Sequence, residues 1–222
     1  MCLKIKNIMD KSVIIVGPAK YMENKNYEEY VNKFDIVCRI HVKVDKNNNI
    51  LFTPNTTKRC DVVFSTGVMP NEKIKLKKED GSYITAVLTN LDSHTKEVLN
   101  IYEKNGLKHI IGILYKFREK NFDKVCNEFK NIIKTKYFIN DKLHTGTHAI
   151  DFLSKTKAKK IGIIGIDCYK TPQYNGYNLN YDNLSGKAAY HNPSNDLEYL
   201  RKLVQNDTRI EIDSHLRGIL FN

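Results

Sequence analysis

No stretch of the 222 residues approaches ~18 consecutive apolar positions, which excludes a transmembrane helix. The N-terminus, MCLKIKNIMDK, places charges where a signal peptide needs an apolar run, so neither a secretion signal nor a membrane anchor is expected. The five cysteines (Cys2, Cys38, Cys60, Cys126 and Cys168) are odd in number and far apart, and no CxxC pair occurs. A zinc ribbon or a disulfide framework is therefore disfavoured, and a reducing compartment such as the cytoplasm fits best. HExxH and DxD patterns are missing, which disfavours a metal centre. GxGxxG and GxxxxGK[ST] are missing too, so classical dinucleotide and Walker sites are not supported. No internal repeat, low-complexity tract or Pro/Gly-rich linker divides the chain, and one domain over residues 1–222 is expected.

What is present is a globular balance of 41% hydrophobic and 27% charged residues, with a formal net charge of +11. A basic chain raises the prior for an anionic partner. The excess is mostly Lys in the company of Asn and Ile, a composition that an AT-rich coding sequence also produces. The densest cluster, Lys73, Lys75, Lys77 and Lys78, has no interleaved aromatic and runs straight into Glu79 and Asp80, unlike a single-strand-binding groove. No nucleic-acid partner is expected.

Short β-branched runs mark the strands: Ser12–Gly17, Phe34–Ile40, Asp61–Ser65 and Lys160–Ile166, with weaker candidates at Tyr83–Leu88, His109–Leu114 and Arg209–Ile212. Helical spacing is read at Tyr27–Lys33, Ser93–Lys104, Asn121–Lys134, Thr145–Ser154 and Asn195–Val204. Alternating strands and helices predict an α/β fold with a mostly parallel central sheet flanked by helices. Lys43–Lys58 and Asp167–Tyr190 lack clear periodicity. The second carries five tyrosines in 24 residues (Tyr169, Tyr174, Tyr177, Tyr181 and Tyr190), too aromatic for a disordered linker, and is expected to be a lid loop.

In an open parallel sheet, ligands bind beyond the carboxyl ends of the strands. Gly17-Pro18-Ala19 after the first strand, His41 after the second, Ser65–Gly67 after the third, the turn before the Thr145 helix and the loop from Asp167 are therefore the candidate positions. His144-Thr145-Gly146-Thr147 reads as a helix start with Thr145 as N-cap, a terminus that offers N–H groups to an anion; simple capping is the commoner role of such a sequence. His191, at the end of the Tyr-rich loop, has the residue type of a general base.

Three blocks taken together resemble the sialyltransferases, both the animal family and the bacterial lipooligosaccharide enzymes. VIIVGPAKYMENKNYEEYVNKFDIVCRIH, Val13 to His41, resembles the large sialylmotif, with Asp35 and Arg39 at matching spacing. LHTGTHAIDFLSKTKAKKIGIIGIDCYKT, Leu143 to Thr171, resembles the small sialylmotif. YHNPSNDLEYLRKL, Tyr190 to Leu203, resembles the C-terminal motif, in which His191 and Glu198 fill the histidine and glutamate places.

The resemblance implies a single Rossmann-like domain with a lid. It also implies metal-independent, inverting transfer of sialic acid or a related sugar from a nucleotide-sugar donor, such as CMP-sialic acid, to a glycan hydroxyl. No other cofactor is implied. His191 would be the base, Thr145, Gly146 and Thr147 would hold the nucleotide or the sugar carboxylate, and lid tyrosines such as Tyr169 and Tyr181 would support the leaving phosphate. Gly17 and Asp167 complete the donor side. Four matched positions depart from the family: Pro18, His41 and Thr66 stand where it has asparagines, and Lys142 where it has an arginine before the Ser-Gly pair. These changes point to an altered donor preference. A non-catalytic binding module on the same fold and a pyrophosphokinase-like nucleotide enzyme are the alternatives. A homo-oligomer is compatible with the sequence.

Overall fold

The computed structural model describes residues 8–40, 43–44, 50–65, 85–89, 100, 110–115, 127–128, 133–139, 143–171 and 193–222. Ten strands occur among them: β1 (Ser12–Val16), β2 (Ile36–Ile40), β3 (Lys43–Val44), β4 (Ile50–Leu51), β5 (Val62–Ser65), β6 (Thr85–Thr89), β7 (Ile110–Tyr115), β8 (Ile133–Ile139), β9 (Lys160–Ile164) and β10 (Ile210–Ile212). The helices are a 3-10 turn at Lys20–Asn24, α1 (Glu28–Asn32), α2 (Thr145–Ser154), α3 (Pro193–Asn206) and α4 (Ser214–Phe221). Eight strands form one sheet in the order β10-β9-β1-β2-β5-β6-β7-β8, and every neighbouring pair runs parallel. β3 and β4 form a small antiparallel pair. The expected α/β architecture is present.

β1, β2, β5 and β9 are rich in β-branched residues, and their described side chains are buried on both sides apart from the partly buried Ser12 and Lys160, as a parallel sheet covered on both faces requires. Side chains alternate between two cores with the period of the strand. Val13 and Ile15 of β1 join Cys38, Phe64, Ile161 and Ile163 beneath Ala149, Ile150, Phe152 and Leu153 of α2. Ile14 and Val16 turn to the opposite face, against Met22, Tyr27, Val31 and Phe34. Phe64 and Phe152 meet edge-on, with ring centroids 5.8 Å apart. α2 packs on β2, β5 and β9, and α3 lies across both α2 and α4.

The chain order sets the location of the site. From β1 the sheet grows through β2, β5, β6, β7 and β8 in one direction. The chain then returns to add β9 and β10 on the other side of β1. The direction reverses between β1 and β9, which is where an open α/β sheet leaves a crevice at its carboxyl edge.

Two sequence expectations need correction. Of the helix read over Asn121–Lys134, residues 127–128 are helical as expected, but the last two, Ile133 and Lys134, open β8; residues 121–126 and 129–132 lie outside the described residues. Ile133, Thr135, Tyr137 and Ile139 alternate with Lys134, Lys136 and Phe138, a period of two in β-branched and aromatic residues, and this pattern outweighs the helical spacing that Ile132 and Ile133 appeared to continue. Lys43–Lys58 contains the β3–β4 pair and a well-anchored segment. Arg39 is buried, donates from Nε to the Arg59 carbonyl at 3.0 Å and from its guanidinium to the Thr57 carbonyl, and stacks on Phe52 at 4.8 Å. Asp35 accepts from both the backbone N–H and the hydroxyl of Ser12, each at 2.8 Å. These bonds, the backbone one first, hold its carboxyl below the usual range. Arg39 and Asp35 thus serve the fold. Of the expected helix at Ser93–Lys104 only residue 100 is described, and it is helical; the rest of that helix and all but residues 167–171 of the expected lid lie outside the described residues. No helix among the described residues is long and apolar enough to cross a membrane.

The far end of α2 is closed by Arg209. Its guanidinium donates to the carbonyls of Ser154 (2.6 Å), Thr156 (2.9 Å) and Ala158 (3.0 Å) and to Asp207. Arg209→Met should cost about 2 kcal/mol in urea unfolding, since orphaned carbonyls replace charge-assisted bonds. The Arg209 guanidinium also holds the Asp207 carboxyl below its ordinary range. That contribution is present at neutral pH and lost as pH falls through the carboxylate range, so the variant should show a flatter acid limb of stability.

Candidate functional site

A cleft enclosing about 550 Å³, open mouth included, lies at the carboxyl edge of β1, β2 and β9. Three segments far apart in sequence build it: Pro18-Ala19 after β1, His144–Thr147 at the start of α2, and Gly165–Thr171 after β9, with Ile40 of β2 on the wall.

The floor is a backbone crossing. Gly17 donates its N–H to the Ile164 carbonyl at 2.9 Å, and Ala19 donates to Gly165 at 3.0 Å. A Cβ on Gly17 would lie 2.1 Å from the Gly165 oxygen, and one on Gly165 would lie 2.5 Å from the Gly17 oxygen. Gly165 also has φ +69, a conformation that favours glycine. Gly17 therefore lets β1 and β9 exchange close contacts at the point where they diverge. Pro18 lines the cleft without a backbone N–H to offer.

Thr145 is not the N-cap of α2. The cap position is His144, extended at φ −74, ψ 160, with no side-chain cap bond of its own, and Thr145 is the first helical residue. The carboxylate at this end comes from another element. Asp196 in the first turn of α3 is fully buried, accepts the His144 N–H at 2.9 Å through Oδ1, and meets the His144 ring Nδ1 at 2.5 Å through Oδ2. An external carboxylate fixes backbone and ring of the capping residue together, so a local cap was unnecessary. Thr145, Gly146 and Thr147 do line the cleft as expected. Thr147 is buried and its hydroxyl is bonded to the Cys168 thiol. The atoms nearest to where a Cβ on Gly146 would sit belong to the Ile166 side chain, the closest at 3.5 Å.

The turn after β9 is held by Asp167. Its Oδ2 accepts from the Thr171 N–H at 2.9 Å and from the Thr171 hydroxyl, and the Tyr169 N–H also bonds to the carboxyl. Burial raises the carboxyl above its ordinary range, and these bonds oppose the rise. Asp167 thus spends its oxygens on the turn it begins. The bonds support two consecutive left-handed residues, Cys168 at φ 51 and Tyr169 at φ 64, each costing about 1 kcal/mol or more in a non-glycine residue. The payoff is position: Tyr169 is placed on the cleft wall with its ring edge against His144, centroids 4.8 Å apart. Burial, with the nearby Asp196 charge, pushes the Cys168 thiol far up, so it is no thiolate at neutral pH.

Of the sequence-derived site residues, Pro18, Thr145, Gly146, Thr147, Asp167 and Tyr169 line one cleft, and Gly17 packs behind it against the lining residue Gly165. His41, Thr66, Lys142, Tyr181 and His191 lie outside the described residues. The His144–Asp196 pair was missed. Its partners stand 52 residues apart, and each read locally as part of a helix start. Among the described residues no group of three His, Cys, Asp or Glu side chains is arranged to hold a metal ion. No protein-family model and no curated protein matches the chain.

Proposed function

We propose that the protein is a sialyltransferase-like glycosyltransferase that moves a sugar from a nucleotide donor, CMP-linked by resemblance, to a glycan hydroxyl with inversion and without a metal. The observation that carries the reading is the convergence on one switch-point cleft of residues from two resembling blocks: Pro18 from the first, and Thr145, Gly146, Asp167 and Tyr169 from the second. Asp196 of the third block anchors the start of α2 beside them.

The chemistry assigned to these groups follows their types. The start of α2 carries the positive end of a helix dipole and orphan N–H donors, which suit a phosphate or a carboxylate. The Tyr169 phenol would donate a hydrogen bond to the leaving phosphate as its charge grows. His191 would take the proton of the acceptor hydroxyl while that oxygen bonds to the anomeric carbon and the bond to the phosphate oxygen breaks. A binding module without catalysis is the second reading. It is favoured by Pro18, which offers no N–H, and by Thr147 and Asp167, whose polar atoms already have internal partners.

Thermal shift with CMP, CMP-sialic acid, UDP, GDP and ADP, each with and without EDTA, tests the nucleotide. A ligand at ~100 times its Kd adds about 2.7 kcal/mol of apparent stability, a rise of several degrees. The expected result is a CMP-specific rise that EDTA does not change, with His191→Ala abolishing transfer and retaining the rise. A rise only with another nucleotide would replace the donor. No rise with any would leave the binding module as the better reading.

A further inference from the structure

On the other flank of the turn after β9, the C-terminal helix places a histidine against the residue that holds the turn. His215, in the first turn of α4, stacks on Tyr21 with centroids 3.9 Å apart and an interplanar angle of 26°. Tyr21 is itself fixed. Its hydroxyl accepts the Gly165 N–H at 2.6 Å and donates to Asp213, the N-cap of α4, at 2.5 Å. The stack therefore hangs from the same glycine that forms the cleft floor. The His215 Nε2 is buried, makes no hydrogen bond among the described residues, and lies 3.8 Å from Asp167 Oδ2. That distance is too long for a hydrogen bond and short enough for a charge to be felt. The ring as a whole keeps a third of its side-chain surface exposed, so a proton from solvent can reach it. The titratable groups around it among the described residues are Asp167 from the turn, Tyr21 from the 3-10 helix, and Asp213 at the start of its own helix.

We infer that His215 is a proton-operated positioning residue for the cleft: on protonation its Nε2–H closes about 1 Å onto Asp167 and tethers the Asp167–Thr171 turn, with Tyr169 on it, to the C-terminal helix. The uncharged ring leaves a buried polar atom unsatisfied beside a buried carboxylate. One added proton gives that nitrogen a charge-assisted hydrogen bond to Oδ2, which already accepts from Thr171. The other neighbours set the direction of closure. Tyr21 is locked between Gly165 and Asp213 and serves as a fixed platform, so the side free to adjust is the turn. The sign follows. The tether forms as pH falls and the ring takes up its second proton. It is lost again at lower pH when Asp167 takes up a proton, and burial moves that lower limit upward.

The consequence for ligands rests on the transferase reading, because it takes the nucleotide to sit against Tyr169; the tether itself does not. The experiment separates the two. In the free protein, the amide resonances of Asp167–Thr171 and the imidazole resonance of His215 are followed from about pH 8 to about pH 5.5, in the parent and in His215→Phe, which keeps the stack on Tyr21. The expected result is one shared midpoint for ring and turn amides in the parent and no such step in the turn of H215F. Turn amides that ignore the ring, or that titrate unchanged in H215F, would overturn the tether. CMP affinity is then measured at about pH 6 and about pH 8 in both proteins, so that the ligand's own titration is common to both. The parent should gain roughly 3- to 10-fold more affinity on acidification than H215F does. Equal ratios would overturn the positioning role. His215→Gln, neutral at every pH, should behave as H215F does; a parent-like titration of the turn in it would also overturn the tether. If CMP binds neither protein, the nucleotide reading fails while the amide titration still decides the tether.

Discussion

Gly17→Ala and Gly165→Ala should each destabilise the protein by about 4 kcal/mol or more, while Gly146→Ala should be as stable as the parent. The added methyl group at Gly17 would sit 2.1 Å from the Gly165 oxygen, and the one at Gly165 would sit 2.5 Å from the Gly17 oxygen. Both neighbours are backbone, so no side-chain rotation relieves the overlap. Nor can the strands separate at little cost: β1 is paired with β2 and β9, and β9 with β1 and β10. Gly165 adds the strain of φ +69. Losses above about 4 kcal/mol are exceptional for single substitutions and are a large fraction of the ~5–15 kcal/mol that holds a typical domain. The melting temperature should fall by roughly 8–16 °C. At Gly146 the nearest atoms are the Ile166 side chain at 3.5 Å, an ordinary contact, and alanine is the better helix former by up to about 1 kcal/mol. That methyl group enters the cleft at the start of α2, so on the transferase reading G146A should bind CMP roughly 10-fold more weakly with no loss of melting temperature. Parent-like stability of G17A would mean that the crossing can open, and parent-like CMP binding by G146A would place the nucleotide elsewhere.

The difference between these glycines bears on what could be read from sequence. The glycine after the first strand and Gly165 after KIGII were visible, yet nothing local showed that they face each other. Their contact is a property of the β1–β9 pairing, and that pairing exists because the chain returns to β1 after building the sheet out to β8. The continuous apolar runs of β1, β2 and β9 declared themselves because a strand buried on both faces has no polar side to confuse the pattern. β8 did not, because its isoleucines follow a helically spaced stretch and its lysines suggest an exposed face. α4 was missed for a different reason. It is eight residues long with a glycine inside, and its clearest signal is the cap, where Asp213 accepts the Leu216 N–H at 2.8 Å. At the site, the rule that ligands sit beyond carboxyl ends picked out segments that line one cleft. The roles inside those segments were harder to read. Asp35 and Arg39, two positions that match the first sialylmotif-like block, hold backbone, and Asp167 holds a turn.

Asp196→Ala should cost about 3–4 kcal/mol, and Asp196→Asn distinctly less, with a change in the His144 ring that the alanine variant cannot show. Asp196 is fully buried, and its two oxygens answer two different groups of one residue, the His144 N–H at 2.9 Å and ring Nδ1 at 2.5 Å. Alanine removes both acceptors and leaves a cavity between α3 and the start of α2, the situation in which breaking a buried pair costs most. Asparagine keeps one carbonyl oxygen, which can continue to accept from the backbone N–H. Its other group is an NH2, a donor where the carboxylate was an acceptor. The ring can meet that donor only by presenting a lone pair at Nδ1, which moves the proton to Nε2. Nitrogen NMR of the imidazole should therefore find the neutral ring protonated at Nδ1 in the parent and at Nε2 in D196N. Urea unfolding gives the two stabilities. A cost below about 1 kcal/mol for D196A would mean that the carboxylate does not anchor α2. An unchanged tautomer in D196N would mean that the ring takes its orientation from another contact. If both expectations hold, α3 sets the helix start and the proton position on the cleft wall through one side chain, Asp196.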